Sequence, residues 1–332
     1  MKRQFVSIES IAEYKNLHLA AYKTFKGRTR QPDIVEFRRN LPERIVILAD
    51  AIHCYQVPFS PIRKFIIYDP KLRHIVAASL PDRIIHHAIF NVIGERIERS
   101  QYHHSYACRP NKGVHKAIVQ VQSNMRRFPV RVQMDVSQYF DHIDHGILQG
   151  LLDRQFKGQD FQLLLGKLIS AHPSQKNKGL PIGWLSSQYF ANLYLDGFDR
   201  WLAEHKMVKA TVRYMDDIVF WCTNKSDARH MLHLSQQWLS EYRQLLIKST
   251  ASIQSCQYAL TFCGFVVRPF STKPSLRKKR SVRNKLLHWQ KLLAAGVISQ
   301  AEYMRATDSV LATLKGCTHG KPNAFVGEHI WV

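Results

Sequence analysis

Three carboxylates carry the chemistry this sequence is equipped to do. Asp135 ends the segment VRVQMD (130–135), and Asp216 and Asp217 stand together inside VRYMDDIVFW (212–221). In the first segment Val130, Val132 and Met134 fall on one face, and Arg131, Gln133 and Asp135 on the other. That alternation predicts a half-buried strand ending in a carboxylate. The second segment is two short apolar arms around Met215-Asp216-Asp217. It predicts a strand–turn–strand hairpin with acids at its tip. If the three strands share a sheet, the carboxylates converge. Asp135 and Asp216 could then hold two divalent cations about 3.5–4 Å apart, as in-line phosphoryl transfer requires. Hard, oxygen-only ligands favour Mg²⁺. Asp-Asp alone is an ordinary turn dipeptide, usually solvated. The tetrapeptide Tyr214-Met215-Asp216-Asp217 is far less ordinary.

The remaining elements must position these acids. A helix is expected from Ile8 to Tyr22, and a hairpin over 61–79 with Asp69-Pro70-Lys71 as its turn. Pro81 opens a helix whose Ile85, Ile89, Val92, Ile93 and Ile97 share one face. Another helix is expected from Gly113 to Arg127. The segment TFCGFVV (261–267) reads as a strand pair or bend. Val282, Leu286, Trp289 and Leu293 repeat at helical spacing, and Ser299 to Glu302 is a capping box.

The 332 residues carry 48 Lys+Arg against 25 Asp+Glu, a surplus of 23 positive charges. The charge recurs in Lys23–Arg39, Arg63–Arg73, Arg126–Arg131 and Arg268–Lys285 rather than in one tail. That spread favours a long polyanion, nucleic acid ahead of an acidic membrane surface. The stretch 268–285 holds eight basic residues and no acidic one. It is expected to line a groove for nucleic acid. No apolar run is long enough to span a bilayer, and the first thirty residues lack the pattern of a signal peptide. The six cysteines form no CxxC pair, so free thiols are expected. The histidines, His86–His87 and His103–His104 included, close no coordination sphere.

The acids and their neighbours resemble the blocks of a reverse transcriptase, in that family's order, over roughly residues 55–270. YMDD after the upstream DVSQYF resembles the palm. RKFIIYDPKLRHI resembles the fingers hairpin, and SYACRPNKGVHKAI (105–118) the next fingers block. GLPIGWLSSQYFANLYLDGFD (179–199) resembles the block that contacts template, primer and nucleotide. FCGF (262–265) resembles the primer grip. The segment Ile182-Gly183-Trp184-Leu185-Ser186-Ser187-Gln188 is similar to the reverse transcriptases of diversity-generating retroelements, themselves similar to those of group II introns. That subfamily has an aliphatic residue before the Gly and Gln after the Ser.

The resemblance implies an α/β chain with a right-hand polymerase fold: fingers, an antiparallel-sheet palm and a short helical thumb. Residues 1–54 would form a helical extension, 55–129 the fingers, 130–267 the palm with part of the fingers, and 268–332 a basic thumb. Asp135, Asp216 and Asp217, with the Val136 backbone carbonyl, would hold two Mg²⁺ ions, for which Mn²⁺ could substitute. Arg63 and Arg73 suit bidentate contacts to the triphosphate, and Lys71 suits the turn or the template. Phe140 would sit under the incoming sugar and exclude a 2′-hydroxyl. Ile182 offers shape where other members offer a Gln amide, so mispairs lose less by comparison. Gln188 adds an amide near the template or nucleotide. Lys248 falls where the family often has a lysine acting on pyrophosphate. Arg109, Lys112, Gly264, Arg277, Lys278, Lys279, Arg280 and Arg283 would contact nucleic acid. For several of these residues a packing or solvated role is the competing reading.

The implied activity is RNA-templated DNA synthesis from dNTPs, with template RNA and an RNA–DNA duplex as partners. In the subfamily the enzyme errs opposite template adenines, and the mutated cDNA replaces a variable repeat in a target gene. A basic, pentameric helical-bundle protein assists. A cytoplasmic location in a prokaryote or phage is implied as well. Two other readings stay open: an antiphage defence or retron reverse transcriptase, and a non-catalytic RNA-binding scaffold with a polymerase fold. The retron Val-Thr-Gly signature is not found near the thumb.

Overall fold

The computed structural model describes residues 2–57, 61–68, 72–171 and 177–314. The chain is of the mixed helix and strand class. It forms two compact units, each assembled from separated stretches. The first holds 1–102, 136–200 and 236–247; the second holds 103–135, 201–235 and 248–332.

The first unit is mainly helical. The helix expected from Ile8 to Tyr22 is two helices, Ile8–Ala12 and Tyr14–Phe25, separated at Glu13 with ψ 132°. The Asn16 amide explains the break: its Nδ2 donates to the Ser10 and Ile11 carbonyls, satisfying acceptors that the broken helix frees. Leu17, Ala20 and Ala21 face inward beneath the helix Leu41–His53, with buried Ile45 and Ile52. The expected hairpin pairs Pro61–Tyr68 with Leu72–Ala78; its 69–71 turn lies outside the described residues. Ser79 then caps the helix Leu80–Ser100 by accepting from the Asp82 N–H. Ile85, Ile89, Ile93 and Ile97 are fully buried along it, as their spacing predicts, and Val92 is half-buried.

His86 lies on the same helix, 1% exposed, with its ring 4.9 Å from that of Trp184. Burial, then the neighbouring His87, pushes its pKa down to about 3. The folded state therefore refuses a proton that the unfolded chain takes up near pH 6.5. Stability is full above that pH and falls between about pH 6.5 and 3, by roughly 1 kcal/mol per pH unit. His86→Gln should flatten that part of the profile, read as the urea midpoint against pH.

The second unit holds a four-stranded antiparallel sheet. Its order is Ala210–Tyr214, Asp217–Cys222, Val130–Asp135, Ser252–Ser255. The helix Val114–Arg127 covers one face, starting after Gly113 at φ 105°. Val121 and Met125 of that helix pack in one cluster with Val212, Val219, Trp221, Phe262 and Phe265. Val132, Ile218 and Phe220 are also fully buried, so both sides of the two central strands are covered. Arg131 is buried as well, and its guanidinium donates to Gln254 and to the Ala259 carbonyl.

Leu260–Phe262 and Phe265–Arg268 form the expected hairpin around Cys263-Gly264. A third strand, Ser271–Pro274, extends this small sheet beyond residue 268. The basic stretch is thus part strand and part helix. Two helices follow, Leu276–Ala294 and Gln300–Ala312, the second opened by the predicted Ser299/Glu302 capping box. Cys54, Cys108, Cys222, Cys256 and Cys263 are free thiols; Cys317 lies outside the described residues. Among the described residues no helix is long and apolar enough to cross a membrane.

Candidate active site

The sheet of the second unit brings the three predicted acids together. Asp135 and Asp217 are direct partners across the two central strands, and Asp217 also pairs with Tyr214 across the hairpin. Asp216 occupies the turn, after Met215 at φ 59°. A left-handed residue there lets a two-residue turn reverse the chain, so the acids gather at one end of adjacent strands. Burial and then the Asp135 charge push the Asp216 carboxyl up. Asp217 is pushed up to about 7, by burial first and then by Asp135 and Asp216, against a hydrogen bond from Gln133 that lowers it. The cluster holds more negative charge than its surroundings balance.

Two neighbours that the sequence did not single out position this turn. Arg213 is 1% exposed, and its guanidinium donates to the Met215 carbonyl at 3.0 Å. Its backbone exchanges bonds with His104 and Tyr106, joining the hairpin to the loop before the helix Val114–Arg127. Gln133 donates to Asp217 Oδ1 at 3.4 Å and to the Thr261 carbonyl at 3.1 Å. In an alternating strand both residues read as outward polar positions, and only the fold shows what covers them. Arg213→Met keeps the volume but leaves the Met215 carbonyl without that donor. It should cost about 1–3 kcal/mol of stability, seen as a lower melting temperature.

Lys248 is the third neighbour, and the sequence did propose it. Its Nζ lies 2.6 Å from Asp135 Oδ1, and its backbone N–H donates to the Asp135 carbonyl at 2.8 Å. The Cys263-Gly264 turn is also close to the acids, whose charges add to burial in raising the Cys263 thiol. Gly264 takes φ 81°, and a Cβ there would meet the Lys278 side chain at 3.4 Å. Lys278 Nζ sits 3.8 Å from the centre of the Phe265 ring. Arg277, Lys279, Arg280 and Arg283 are exposed along the helix Leu276–Ala294. Arg109 and Lys112 instead make contacts inside their own loop, to the Ser105 and His103 carbonyls.

Among the described residues no group of three or more His, Cys, Asp or Glu side chains forms a ready-made metal cage. The donor chemistry of the acid cluster nevertheless fits a hard cation. It offers carboxylate oxygens only, and the raised Asp216 and Asp217 carboxyls mark a place where added positive charge is favourable.

The other predicted residues lie in the first unit. Phe140 is half-buried in the short helix Tyr139–His142, its ring edge-on to Tyr139 at 5.6 Å. Val136 is buried and bridged to Ile247. Ile182 is half-buried, and its carbonyl accepts from the Val76 N–H at 3.3 Å. That bond seats Ile182 against the hairpin base. Gly183, at φ 112°, comes so close to Ile75 that a Cβ would meet it at 3.3 Å. Arg63 and Arg73 stand on the two paired strands, opposite Ala77 and Ile67; their side chains, like Lys71, lie outside what is described.

Gln188 helps line a cavity of about 860 Å³ in this unit, together with Trp184, Lys23, Lys26, Arg28 and Arg83. The Arg83 pKa is lowered by burial and then by Arg28, with Asp33 opposing at 3.5 Å. The basic side chains lining this cavity suit an anionic ligand. The sequence shows the basic stretch 23–39 but not its convergence with Arg83, which lies some fifty positions away.

Comparisons with known proteins place the chain among others. Residues 68–266 match the family model for reverse transcriptase (RNA-dependent DNA polymerase). Protein YkfC of Escherichia coli K12 is 30% identical over 162 residues, 44% of this chain and 42% of that protein. The group II intron-encoded protein LtrA of Lactococcus lactis is 25% identical over 156 residues, 44% of this chain and 26% of that one. The match thus spans less than half the length of either relative. The structure of telomerase from Candida tropicalis with a TWJ fragment of telomeric RNA aligns at a TM-score of 0.49 with 12% identity. That alignment covers 75% of this chain and 52% of that one. With the family model covering the second strand of the hairpin, the acid-bearing strands and the Cys263-Gly264 turn, this chain belongs to the reverse transcriptase family.

Proposed function

We propose that this protein copies an RNA template into cDNA, and that Asp135, Asp216 and Asp217 hold the divalent cations for that reaction. The carrying observation is the pairing of Asp135 with Asp217 across two central strands, with Asp216 on the adjoining turn. Bound there, Mg²⁺ would activate the primer 3′-hydroxyl and neutralise charge on the leaving pyrophosphate. The protein supplies a rigid frame: Arg213 fixes the turn and Gln133 orients Asp217. The backbone pairing of Asp135 with Asp217 keeps the acids from spreading apart under their own repulsion.

The sheet with its acids corresponds to the palm, the 61–78 hairpin to the fingers and the two C-terminal helices to the thumb. Arg63 and Arg73 serve the triphosphate, and Phe140 the sugar. The exposed basic face Arg277–Arg283 serves the RNA–DNA duplex. The basic cavity beside Gln188 gives the RNA a further set of phosphate contacts.

The setting we favour is a diversity-generating retroelement, with an accessory basic pentamer as partner. What supports it is Ile182, an aliphatic residue whose main chain is tied to the hairpin base, at a position where an amide would discriminate by hydrogen bonding. An apolar contact separates right from wrong pairs by less than a polar one left unpaired does. Ile182→Gln should therefore lower errors opposite template adenine by about tenfold, read by sequencing cDNA made in vitro. Unchanged errors would sink this assignment. Accurate cDNA from the wild type would move the setting to phage defence and leave the polymerase standing.

A further inference from the structure

Lys248 stands where the acid cluster needs a cation. Its ammonium lies 2.6 Å from Asp135 Oδ1, within a charge-assisted contact. Its main-chain N–H is fixed separately, on the Asp135 carbonyl at 2.8 Å. The backbone bond keeps Lys248 beside Asp135 whatever its side chain does. The ion pair itself is partly open to solvent, with side-chain exposures of 29% for Lys248 and 38% for Asp135. A lysine ammonium is a compact charge on a flexible stem, so it can leave without moving the backbone. The Oδ1 atom it holds belongs to the carboxylate that pairs with Asp217 across the sheet.

We infer that the Lys248 ammonium is an exchangeable counter-cation on Asp135, which a divalent cation must displace in order to bind. This rests on the reading that Asp135 and Asp216 hold divalent cations. The exchange makes and breaks no covalent bond. One ammonium leaves the carboxylate oxygen as one divalent cation arrives. It couples cation binding to release of a positive side chain that stays tethered at the site. It also weakens cation binding in the absence of nucleic acid, because the ion pair must first be broken.

The test uses the full-length protein without nucleic acid. Mn²⁺ binding is measured by the loss of the free-ion electron paramagnetic resonance signal, for the wild type and Lys248→Met. Lys248→Met should bind Mn²⁺ about tenfold more tightly. A second readout, decided in the wild type, separates true displacement from the mere loss of a repelling charge. Acetylation of Lys248 by a water-soluble acylating reagent, quantified by mass spectrometry, should rise several-fold in the wild type when Mg²⁺ is added. In Asp135→Asn it should already be high and should not respond to Mg²⁺. Wild-type Mn²⁺ binding that is not tightened in Lys248→Met, or acetylation indifferent to Mg²⁺, overturns the exchange and leaves the polymerase reading intact. Absence of Mn²⁺ binding in wild type and variant alike overturns both.

Discussion

Asp216→Ala and Asp217→Ala should each reduce nucleotide incorporation by about 10³-fold or more, while RNA affinity should stay within a few-fold of wild type. The two effects separate because the acids act on the reacting phosphate and add only repulsion toward the RNA backbone. With RNA binding measured in the absence of divalent cations, removing a carboxylate cannot weaken phosphate binding on electrostatic grounds. Nor should it unfold the chain. Asp217 is charged at a cost in the folded state, since burial and the facing acids push its pKa up to about 7. A carboxyl raised in the fold gives its full stability below its ordinary pKa and loses it as pH rises through the folded value. At pH 8, without divalent cations, Asp217→Asn should therefore melt at a higher temperature than wild type. Activity and stability then move in opposite directions, as expected where a site is kept for function. Loss of both incorporation and RNA binding, with an unchanged melting temperature, would contradict this division of labour.

RNA affinity should fall by about 10³ between 50 and 200 mM salt, the response of roughly six phosphate contacts. The net charge of +23 favours association with a polyanion. The structure offers two separate sets of cations for it. One is the exposed face with Arg277, Lys279, Arg280 and Arg283. The other is the cavity lined by Lys23, Lys26, Arg28 and Arg83. Because Arg280 and Arg283 are exposed, replacing them with Ala should change stability by less than about 0.5 kcal/mol. Each replacement should lower the salt slope by about one. The check is fluorescence anisotropy of a labelled RNA over a salt series. A flat series for the wild type, or variants with its full slope, would remove these residues from the interface.

The acids were legible in the sequence because strand alternation and a two-residue turn are local. Val130 to Asp135 and the arms around Met215 carry their periodicity on the surface of the text. The hairpin at Cys263-Gly264, the helix Leu80–Ser100 and the Ser299 capping box were readable for the same reason. What the sequence hid depends on contacts between distant residues. The helix expected to run from Ile8 to Tyr22 breaks at Glu13, and the reason is where the Asn16 amide reaches. Arg213 and Gln133 look like solvent-facing strand residues until the fold buries Arg213 against its own turn and brings the strand Leu260–Phe262 beside Gln133. The strand Ser271–Pro274 has no apolar alternation to announce it, and pairing with Phe265–Arg268 creates it. Lys248 was found by its position in a family pattern. Its pairing with Asp135, 113 positions away, is a fact of the fold.

The most direct measurement is primer extension by the purified protein on an RNA template containing all four bases, with dNTPs and Mg²⁺, beside Asp216→Ala. The account predicts cDNA complementary to the template, dependent on the divalent cation and absent from the variant. A protein that binds the RNA yet yields no cDNA on any template, with Mg²⁺ or Mn²⁺ and with its accessory partner supplied, would contradict it.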